Sequence, residues 1–166
     1  ARPRGKTPPA LPPRLRPREC GPKDAEAMAE LYRLVFASYP FPIHDPSYLR
    51  DTMAENIRYF GLWEGDKPVA LSSAEMDIPA RAVEMTDFAT LPAARGAGCA
   101  QVLLRRMEDA MRERGKPIGY TIARAVSYGM NIVFARAGYA FTGTLVNNTG
   151  IAGQLESMNI WWKRLD

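Results

Sequence analysis

A glycine-containing loop between a strand-like run and a helix-like run is the feature that most constrains this chain. The run 83–91 leads into Pro92-Ala-Ala-Arg-Gly-Ala-Gly-Cys-Ala100, and an amphipathic helical pattern follows. In such a loop the backbone N–H groups point outward, the helix dipole favours negative charge, and glycine lets the backbone approach a phosphate closely. Arg95 adds a positive charge beside the loop. The segment therefore predicts an anion site of the kind that holds a pyrophosphate.

Two common phosphate-binding motifs do not fit this loop. The pattern GxxxxGK[ST] is absent, because no Lys-Ser or Lys-Thr pair follows the glycines. The dinucleotide pattern GxGxxG is half present, with Gln101 where the third glycine belongs, and that motif usually lies on the first strand–helix turn. The alternative to an anion site is a plain glycine turn before a core helix.

The rest of the chain alternates strand-like and helix-like segments. Helical spacing of apolar residues, turn residues and short β-branched or aromatic runs predict the order β-α-α-β-β-β-α-β-α-β-β, an α/β domain with a mixed sheet. The predicted helices are 25–36, N-capped by Asp24, then 47–56, 98–114 and 127–137. The predicted strands are 15–19, 59–63, 69–76, 83–91, 118–123, 139–146 and 155–162.

Basic charge is concentrated at the start of the chain. Residues 1–23 carry seven basic residues, one acidic residue and half of the 14 prolines, whereas 24–166 carries 15 basic and 17 acidic residues. Dense Pro and Arg favour an extended segment, so we expect residues 1–13 to be a disordered segment or linker and 14–166 to be the folded domain. The alternative is a nucleic-acid arm. We expect no nucleic-acid partner, because no aromatic residues alternate with these charges for base stacking.

Length and composition exclude several other classes of protein. A chain of 166 residues suits one domain, and no apolar run approaches the ~20 residues that span a membrane. Cys20 and Cys99 are too few for a disulfide framework, and a single histidine leaves no Cys/His zinc site. We therefore expect a reduced, cytoplasmic setting with no metal and no membrane partner.

The motif Arg95-x-x-Gly98-x-Ala100 resembles the R/Q-x-x-G-x-G/A loop of the GNAT N-acetyltransferases, which holds the pyrophosphate of acetyl-CoA. The element order is similar as well, over about residues 14–165. Five longer blocks resemble one family within that group, the β-lysine N-acetyltransferases, and specifically its C-terminal GNAT domain. These blocks are YPFPIHDPSYL, EMTDFATLPAARGAG, YTIARAVSYGMN, GTLVNNTGI and ESMNIWWK.

This resemblance implies a GNAT acyl-CoA N-acyltransferase fold, with a mixed, mostly antiparallel central sheet flanked by helices. It implies acetyl transfer from acetyl-CoA to the ε-amine of β-lysine, which gives the compatible solute Nε-acetyl-β-lysine used in osmoadaptation. A lysine 2,3-aminomutase is then the pathway neighbour, and a homodimer is compatible with the family. The alternatives are another small amine or a protein lysine as substrate, or a non-catalytic acyl-CoA-binding module.

The resemblance also assigns the coenzyme contacts. In the GNAT fold the strand before the phosphate loop separates from the next strand, and the pantetheine arm binds the strand backbone in the gap. An N–H near Ala89 then polarises the thioester carbonyl. By position, the contacts are Phe88, Ala89 and Thr90 for the acetyl and pantetheine groups, Arg95, Gly96, Ala97, Gly98, Cys99 and Ala100 for the pyrophosphate, and Asn131 and Phe134 on the last helix.

Two acids on the strand before the loop are the candidate general bases. Regular alternation puts Glu84 on the same face as Thr86 and Phe88, with Asp87 opposite. The alternative for either acid is a buried carboxylate with a structural hydrogen bond. The usual GNAT proton donor, a tyrosine, is replaced here by Phe134. We therefore consider Tyr128 or Tyr120 as the donor, or a thiolate that leaves without one.

Recognition of β-lysine requires donors for a carboxylate and acids for the ammonium that does not react. Suitable C-terminal side chains are Arg124, Asn147, Asn148, Glu156 and Asn159, and Tyr39, Phe41 and His44 are placed to cover the alkyl chain. Each has a structural alternative. The segment 147–150 would form a turn, Glu156 would be a solvated or paired residue, and His44 would bond Asp45 to order its loop.

Overall fold

A seven-stranded sheet in the order β1-β2-β3-β4-β5-β7-β6 organises the chain. The computed structural model describes residues 10–151 and 153–166. The strands are β1 (Arg16–Glu19), β2 (Ile57–Glu64), β3 (Lys67–Asp77), β4 (Ala82–Thr90), β5 (Ile118–Arg124), β6 (Ala140–Ile151) and β7 (Gln154–Arg164). The helices are α1 (Ala25–Val35), α2 (Pro46–Ala54), α3 (Cys99–Glu113) and α4 (Tyr128–Arg136). The predicted element order and fold class are confirmed. Among the described strands, only β4 and β5 pair in parallel, and the other neighbouring strands are antiparallel.

The two faces of the sheet bury two separate apolar cores. On one face, α3 packs Leu103, Leu104 and Met107 against β2, β3 and β4, as its predicted apolar stripe requires. On the other face, α1 and α2 cover Tyr59, Trp63 and Leu71. In the described part of the chain, α1 and α2 make their main contacts with β2, β3 and β4. We call the part of this face that the two helices do not cover the open face.

The first strand is fixed by an arginine that lies between an aromatic ring and a carboxylate. The guanidinium of Arg18 lies 4.0 Å from the centre of the Trp63 ring and donates to both oxygens of Asp24, at 2.7 and 3.0 Å. Asp24 also accepts from the Gly21 N–H at 2.8 Å. Asp24 occupies the predicted N-cap position of α1, but its side chain makes no cap hydrogen bond to the helix, because both carboxylate oxygens accept from Arg18 instead.

The C-terminal hairpin is longer than the sequence predicts. β6 runs to Ile151 and β7 begins at Gln154, so the alternative of a turn at 147–150 is wrong. A bulge replaces the turn: Asn147 has φ +48°, and its N–H donates to the Ser157 hydroxyl at 3.1 Å. Asparagine tolerates this left-handed conformation, which lets the strand continue past it.

Residues 1–9 lie outside the described residues, so the prediction of a disordered segment over 1–13 stays a prediction. Within the described part of the chain, Leu11 packs on the α3 core and Cys20 and Cys99 are buried, free thiols. None of the described helices is long and apolar enough to cross a membrane.

The packing of Trp63 predicts the effect of a single methyl group. A Cβ on Gly61 would overlap the Trp63 indole nitrogen and lie 3.1 Å from Leu71 Cδ2. We expect Gly61→Ala to lower the free energy of unfolding by about 1–3 kcal/mol, the usual cost of overpacking, in urea denaturation. Gly143→Ala is the matched control, because a Cβ there meets nothing within 4 Å. Equal stability of the two variants would contradict this account of how Trp63 packs.

Candidate active site

The gap between β4 and β5 is the most distinctive feature of the sheet. These parallel strands pair only at Ala82↔Ile118, Val83↔Gly119 and Glu84↔Tyr120. β4 then continues to Thr90 and β5 to Arg124 without pairing to each other. The separation expected from the sequence is therefore present, and it begins at Glu84. Beyond that residue β4 has a backbone edge that is free to bind an extended ligand.

A β-bulge at Asp87 changes which side chains share a face. Asp87 has φ +53°, and the β3–β4 register shifts between Leu71 and Ser73. Regular alternation is lost there. Asp87 lies on the α1–α2 side with Glu84, whereas Phe88 packs on the opposite side against Phe134, with ring centres 5.7 Å apart. The prediction that Glu84 shares a face with Phe88 and opposes Asp87 is therefore wrong.

Glu84 is a half-buried acid at the point where the strands separate. Its cross-strand partners are Glu75 on β3 and Tyr120 on β5. Burial, followed by the negative charges of Glu75 and Asp87, raises the pKa of Glu84 to about 7, and the N–H of Ile122 partly offsets this. A carboxylate with a pKa near neutrality can exchange a proton with a bound group at physiological pH. The sequence patterns did not identify Glu75, because only the strand register shows that it is a neighbour of Glu84.

Asp87 is held by hydroxyl groups from two other segments. Its Oδ2 accepts from Ser73 on β3 at 2.5 Å, and its Oδ1 accepts from Tyr39, which follows α1. Burial raises the pKa of Asp87, although the hydroxyls of Ser73, Tyr39 and Thr86 act against it. Both carboxylate oxygens are engaged. This arrangement agrees with the structural alternative considered for Asp87.

The glycine loop presents a row of backbone N–H groups beyond the free end of β4. Gly96 and Gly98 have φ +82° and +77°, and α3 begins at Cys99 without a side-chain cap. Within the described chain, no acceptor lies within hydrogen-bonding geometry of the N–H groups of 96–98. Arg95 is exposed and donates to the Thr90 carbonyl at 3.3 Å. The loop therefore offers anion donors where the strand ends.

The residues predicted on α4 have different environments. Phe134 is 1% exposed and packs edge-on against Phe88 and Tyr139, so it belongs to the core. The side-chain NH2 of Asn131 donates to the carbonyls of Arg124 and Ser127, and its Oδ1 accepts from Asn159 and Trp161. All four hydrogen-bonding positions of this amide are therefore in use. A ligand would have to displace one of these bonds. Tyr128 is 77% exposed at the start of α4.

The predicted substrate residues do not share one face of the sheet, since Asn159 bonds Asn131 on the side where α4 packs with the α3 core, and several of them bond each other. Arg124 and Glu156 form a two-point ion pair, and Asn159 bonds Thr144 and Asn131. Asn147 and Asn148 are exposed on the β6 bulge. Tyr39, Phe41 and His44 line a cavity of about 620 Å³ formed by the segment 37–45. The expected His44–Asp45 bond is not formed, because the Asp45 carboxylate accepts from the Ser47 N–H and caps α2.

A second cavity, of about 520 Å³, opens beside Glu84 and was not anticipated from the sequence. Its walls include the acids Glu55, Glu75 and Asp77, together with Tyr120. Burial raises the pKa of Tyr120, and the negative charges of Glu84, Glu75 and Asp77 raise it further. The open face next to the strand gap is therefore acidic.

The raised pKa of Glu84 predicts a pH-dependent effect on stability. The pKa of Glu84 is about 7 in the folded state against an ordinary value of 4.5, so the folded protein binds the proton more tightly. Stability from this group is then present at low pH and is lost as pH rises from about 4.5 to 7. Between pH 5 and pH 8, the free energy of unfolding of Glu84→Gln should therefore rise by roughly 2 kcal/mol relative to that of the wild type.

Urea denaturation at the two pH values measures this gain. Glu30→Gln, at an exposed position of α1, controls for the loss of one negative charge. A stability difference for Glu84→Gln that is the same at both pH values would contradict the buried, protonated carboxyl.

Comparisons with known proteins agree with this geometry. The chain is 50% identical over 140 residues to "Beta-lysine N(6)-acetyltransferase" of Methanococcus maripaludis, covering 84% of the chain and 51% of that protein. It is 46% identical over 142 residues to the protein of the same name from Methanosarcina mazei, covering 86% of the chain and 52% of that protein. The chain thus spans about half the length of the curated relatives it matches.

Solved structures share the fold at low sequence identity. The ribosomal-protein-S18-alanine N-acetyltransferase of Escherichia coli superimposes with a TM-score of 0.77 at 14% identity, over 92% of this chain and 94% of that one. The family model described as "Acetyltransferase (GNAT) family" matches residues 26–138. This chain, with its sheet opened between β4 and β5 and its glycine loop at the start of α3, therefore belongs to the GNAT acetyltransferase family.

Proposed function

We propose that this chain is the acetyl-transferring domain of an enzyme that moves the acetyl group of acetyl-CoA to the ε-amine of β-lysine. The observation that carries the proposal is the free edge of β4 from Glu84 to Thr90, followed after residues 91–95 by the N–H groups of 96–98, which have no acceptor among the described residues. The names of the relatives at 50% and 46% identity support β-lysine as the amine. Acetyl-CoA supplies the thioester that reacts.

The coenzyme side is built from backbone groups. In the proposal, the free edge of β4 at Phe88, Ala89 and Thr90 binds the pantetheine arm as an added strand would. Arg95 and the N–H groups of 96–100 hold the pyrophosphate, where both the loop conformation and the helix dipole favour negative charge. A backbone N–H near Ala89 stabilises negative charge that develops on the carbonyl oxygen.

Glu84 is the proposed base for the amine. An ε-ammonium has an ordinary pKa of about 10.4 and must lose a proton before its nitrogen can attack a thioester. Glu84 lies at the start of the strand gap, and its pKa of about 7 suits a group that accepts a proton and passes it on. Asp87 is less suited to this role, since both of its oxygens already accept hydrogen bonds.

The leaving thiolate has no phenol at the usual position, because Phe134 occupies it and is buried. Tyr128, exposed at the start of α4, is the proposed proton donor, and Tyr120 beside Glu84 is the alternative. A thiolate is also a competent leaving group without protonation, which lowers the demand on either residue.

The open acidic face suits a substrate with a second ammonium. Glu55, Glu75 and Asp77 line the cavity beside Glu84, and opposite charge favours a diamine there. Arg124 could take the substrate carboxylate only by exchanging its present partner Glu156. Under this proposal the product is Nε-acetyl-β-lysine, a compatible solute. An aminomutase that makes β-lysine from lysine supplies the substrate.

The proposal predicts that the purified chain releases CoA from acetyl-CoA faster with β-lysine than with α-lysine or a lysine-containing peptide, by at least tenfold in kcat/KM. A thiol-reactive dye measures the release. Gly98→Val should weaken acetyl-CoA binding at least tenfold, and lower kcat/KM for acetyl-CoA by the same factor, because a branched side chain would fill the space that the pyrophosphate needs.

Gly65→Val is the matched control for backbone strain. Gly65 also has positive φ, +58°, but lies in the β2–β3 turn, and a Cβ there meets nothing within 4 Å. Equal rates with all three amines would contradict β-lysine as the preferred substrate. Equal loss of acetyl-CoA affinity in both valine variants would contradict the assignment of the loop.

A further inference from the structure

The segment 37–45 is attached to the strand gap at one point. Tyr39 reaches from this segment to Asp87, forty-eight residues later in the chain, and Ser73 on β3 holds the other oxygen of the same carboxylate. We call these three residues the Asp87 latch. The Tyr39 ring also packs on Phe36, with centres 4.8 Å apart, so its hydroxyl approaches Asp87 from the end of α1.

Asp87 is at the same time the bulge residue of β4. Its φ of +53° lies in the left-handed region, which aspartate and asparagine tolerate better than other side chains do. The bulge turns Phe88 to one side of the sheet and leaves Ala89 on the other. The two hydrogen bonds to the Asp87 carboxylate thus hold the strand conformation on which the backbone positions of 88–90 depend.

We propose that Asp87 is a positioning residue whose latch couples the two halves of the site, fixing the β4 bulge on the acetyl side and holding segment 37–45 over the amine side. The inference rests on the proposed function for its kinetic readout only. In this proposal Asp87 takes no part in proton transfer. Tyr39 has a structural role and does not contact the alkyl chain of the substrate.

The remaining contacts of segment 37–45 explain why one bond matters. Ile43 is buried and anchors the segment near α2, and Arg33 donates to the His44 carbonyl at 3.0 Å. Between Phe36 and Ile43 the side chains of Ala37, Ser38, Pro40 and Phe41 are exposed. Within this stretch, Tyr39 makes the side-chain hydrogen bond that reaches the sheet. Its loss would free the segment while leaving both ends attached.

Tyr39→Phe removes the hydroxyl and keeps the ring. We expect the amide protons of Ile43 and Asp45, which donate to Phe41 and Pro42, to exchange at least tenfold faster, as measured by hydrogen exchange. We also expect the KM for β-lysine to rise at least fivefold, with kcat changed less than threefold. Tyr59→Phe is the matched control, because that buried hydroxyl bonds Thr52 and not Asp87.

The Asp87 variants separate positioning from proton transfer. Asp87→Asn keeps an acceptor oxygen and tolerates positive φ, so kcat should stay within threefold of the wild type. Asp87→Ala loses both acceptors and should raise the KM for acetyl-CoA and for β-lysine at least tenfold each. If Asp87→Asn lowered kcat more than tenfold, Asp87 would be a proton-transfer group and the proposal would be overturned.

Hydrogen exchange keeps the two proposals apart. If the chain releases no CoA with any amine, the proposed function fails. The exchange data still test whether the Asp87 latch holds segment 37–45. Faster exchange of Ile43 and Asp45 in Tyr39→Phe than in Tyr59→Phe then supports it, and equal exchange in the two variants overturns it.

Discussion

The end of the parallel pairing between β4 and β5 is the constraint on which the rest of the site depends. After Glu84 and Tyr120 the two strands no longer share hydrogen bonds, and the bulge at Asp87 bends β4 as it continues. A backbone edge in the middle of a sheet is costly unless something pairs with it. The free edge leads to a loop in which the N–H groups of 96–98 have no acceptor among the residues that the structure describes, so one extended ligand with an anionic end can satisfy both.

The electrostatics of the site follow from the same opening. Glu84 is held at the floor of the gap, partly away from water and close to two other acids, and so its pKa rises toward 7. The acids around the neighbouring cavity make the open face attractive to an ammonium group. The bulge then places Asp87 on this face too, where two hydroxyl groups hold it. The separation of the strands and the cluster of acids therefore occur at the same place in the sheet, around Glu84 and Asp87.

Much of this could be predicted from the sequence, because strong periodic patterns set the helices and because the loop at 95–100 combines glycines, an arginine and a helix start. The failures share a physical cause. Period-two alternation assumes a regular strand, and the bulges at Asp87 and Asn147 break it through single residues with positive φ. Asp24 had the sequence of a helix cap, but Arg18, six residues earlier, offered a stronger charged partner. The neighbours of Glu84 came from strand register, which one-dimensional patterns do not encode.

The roles of individual side chains were less predictable than the backbone. Arg124 and Glu156 were suitable types for a substrate with opposite charges, yet they pair with each other. Asn131 is fully used in tying α4 to β7. Phe134 completes a core of aromatic rings. Such competition among partners depends on distances between segments far apart in the chain.

The central claim is that the free edge of β4 and the adjoining loop form one coenzyme site, and hydrogen exchange with and without acetyl-CoA tests it most directly. We expect acetyl-CoA to slow exchange of the backbone N–H groups within 85–90 and 96–101, and to leave the β1–β2 ladder unchanged. Protection confined to other parts of the chain, with acetyl-CoA demonstrably bound, would contradict the account.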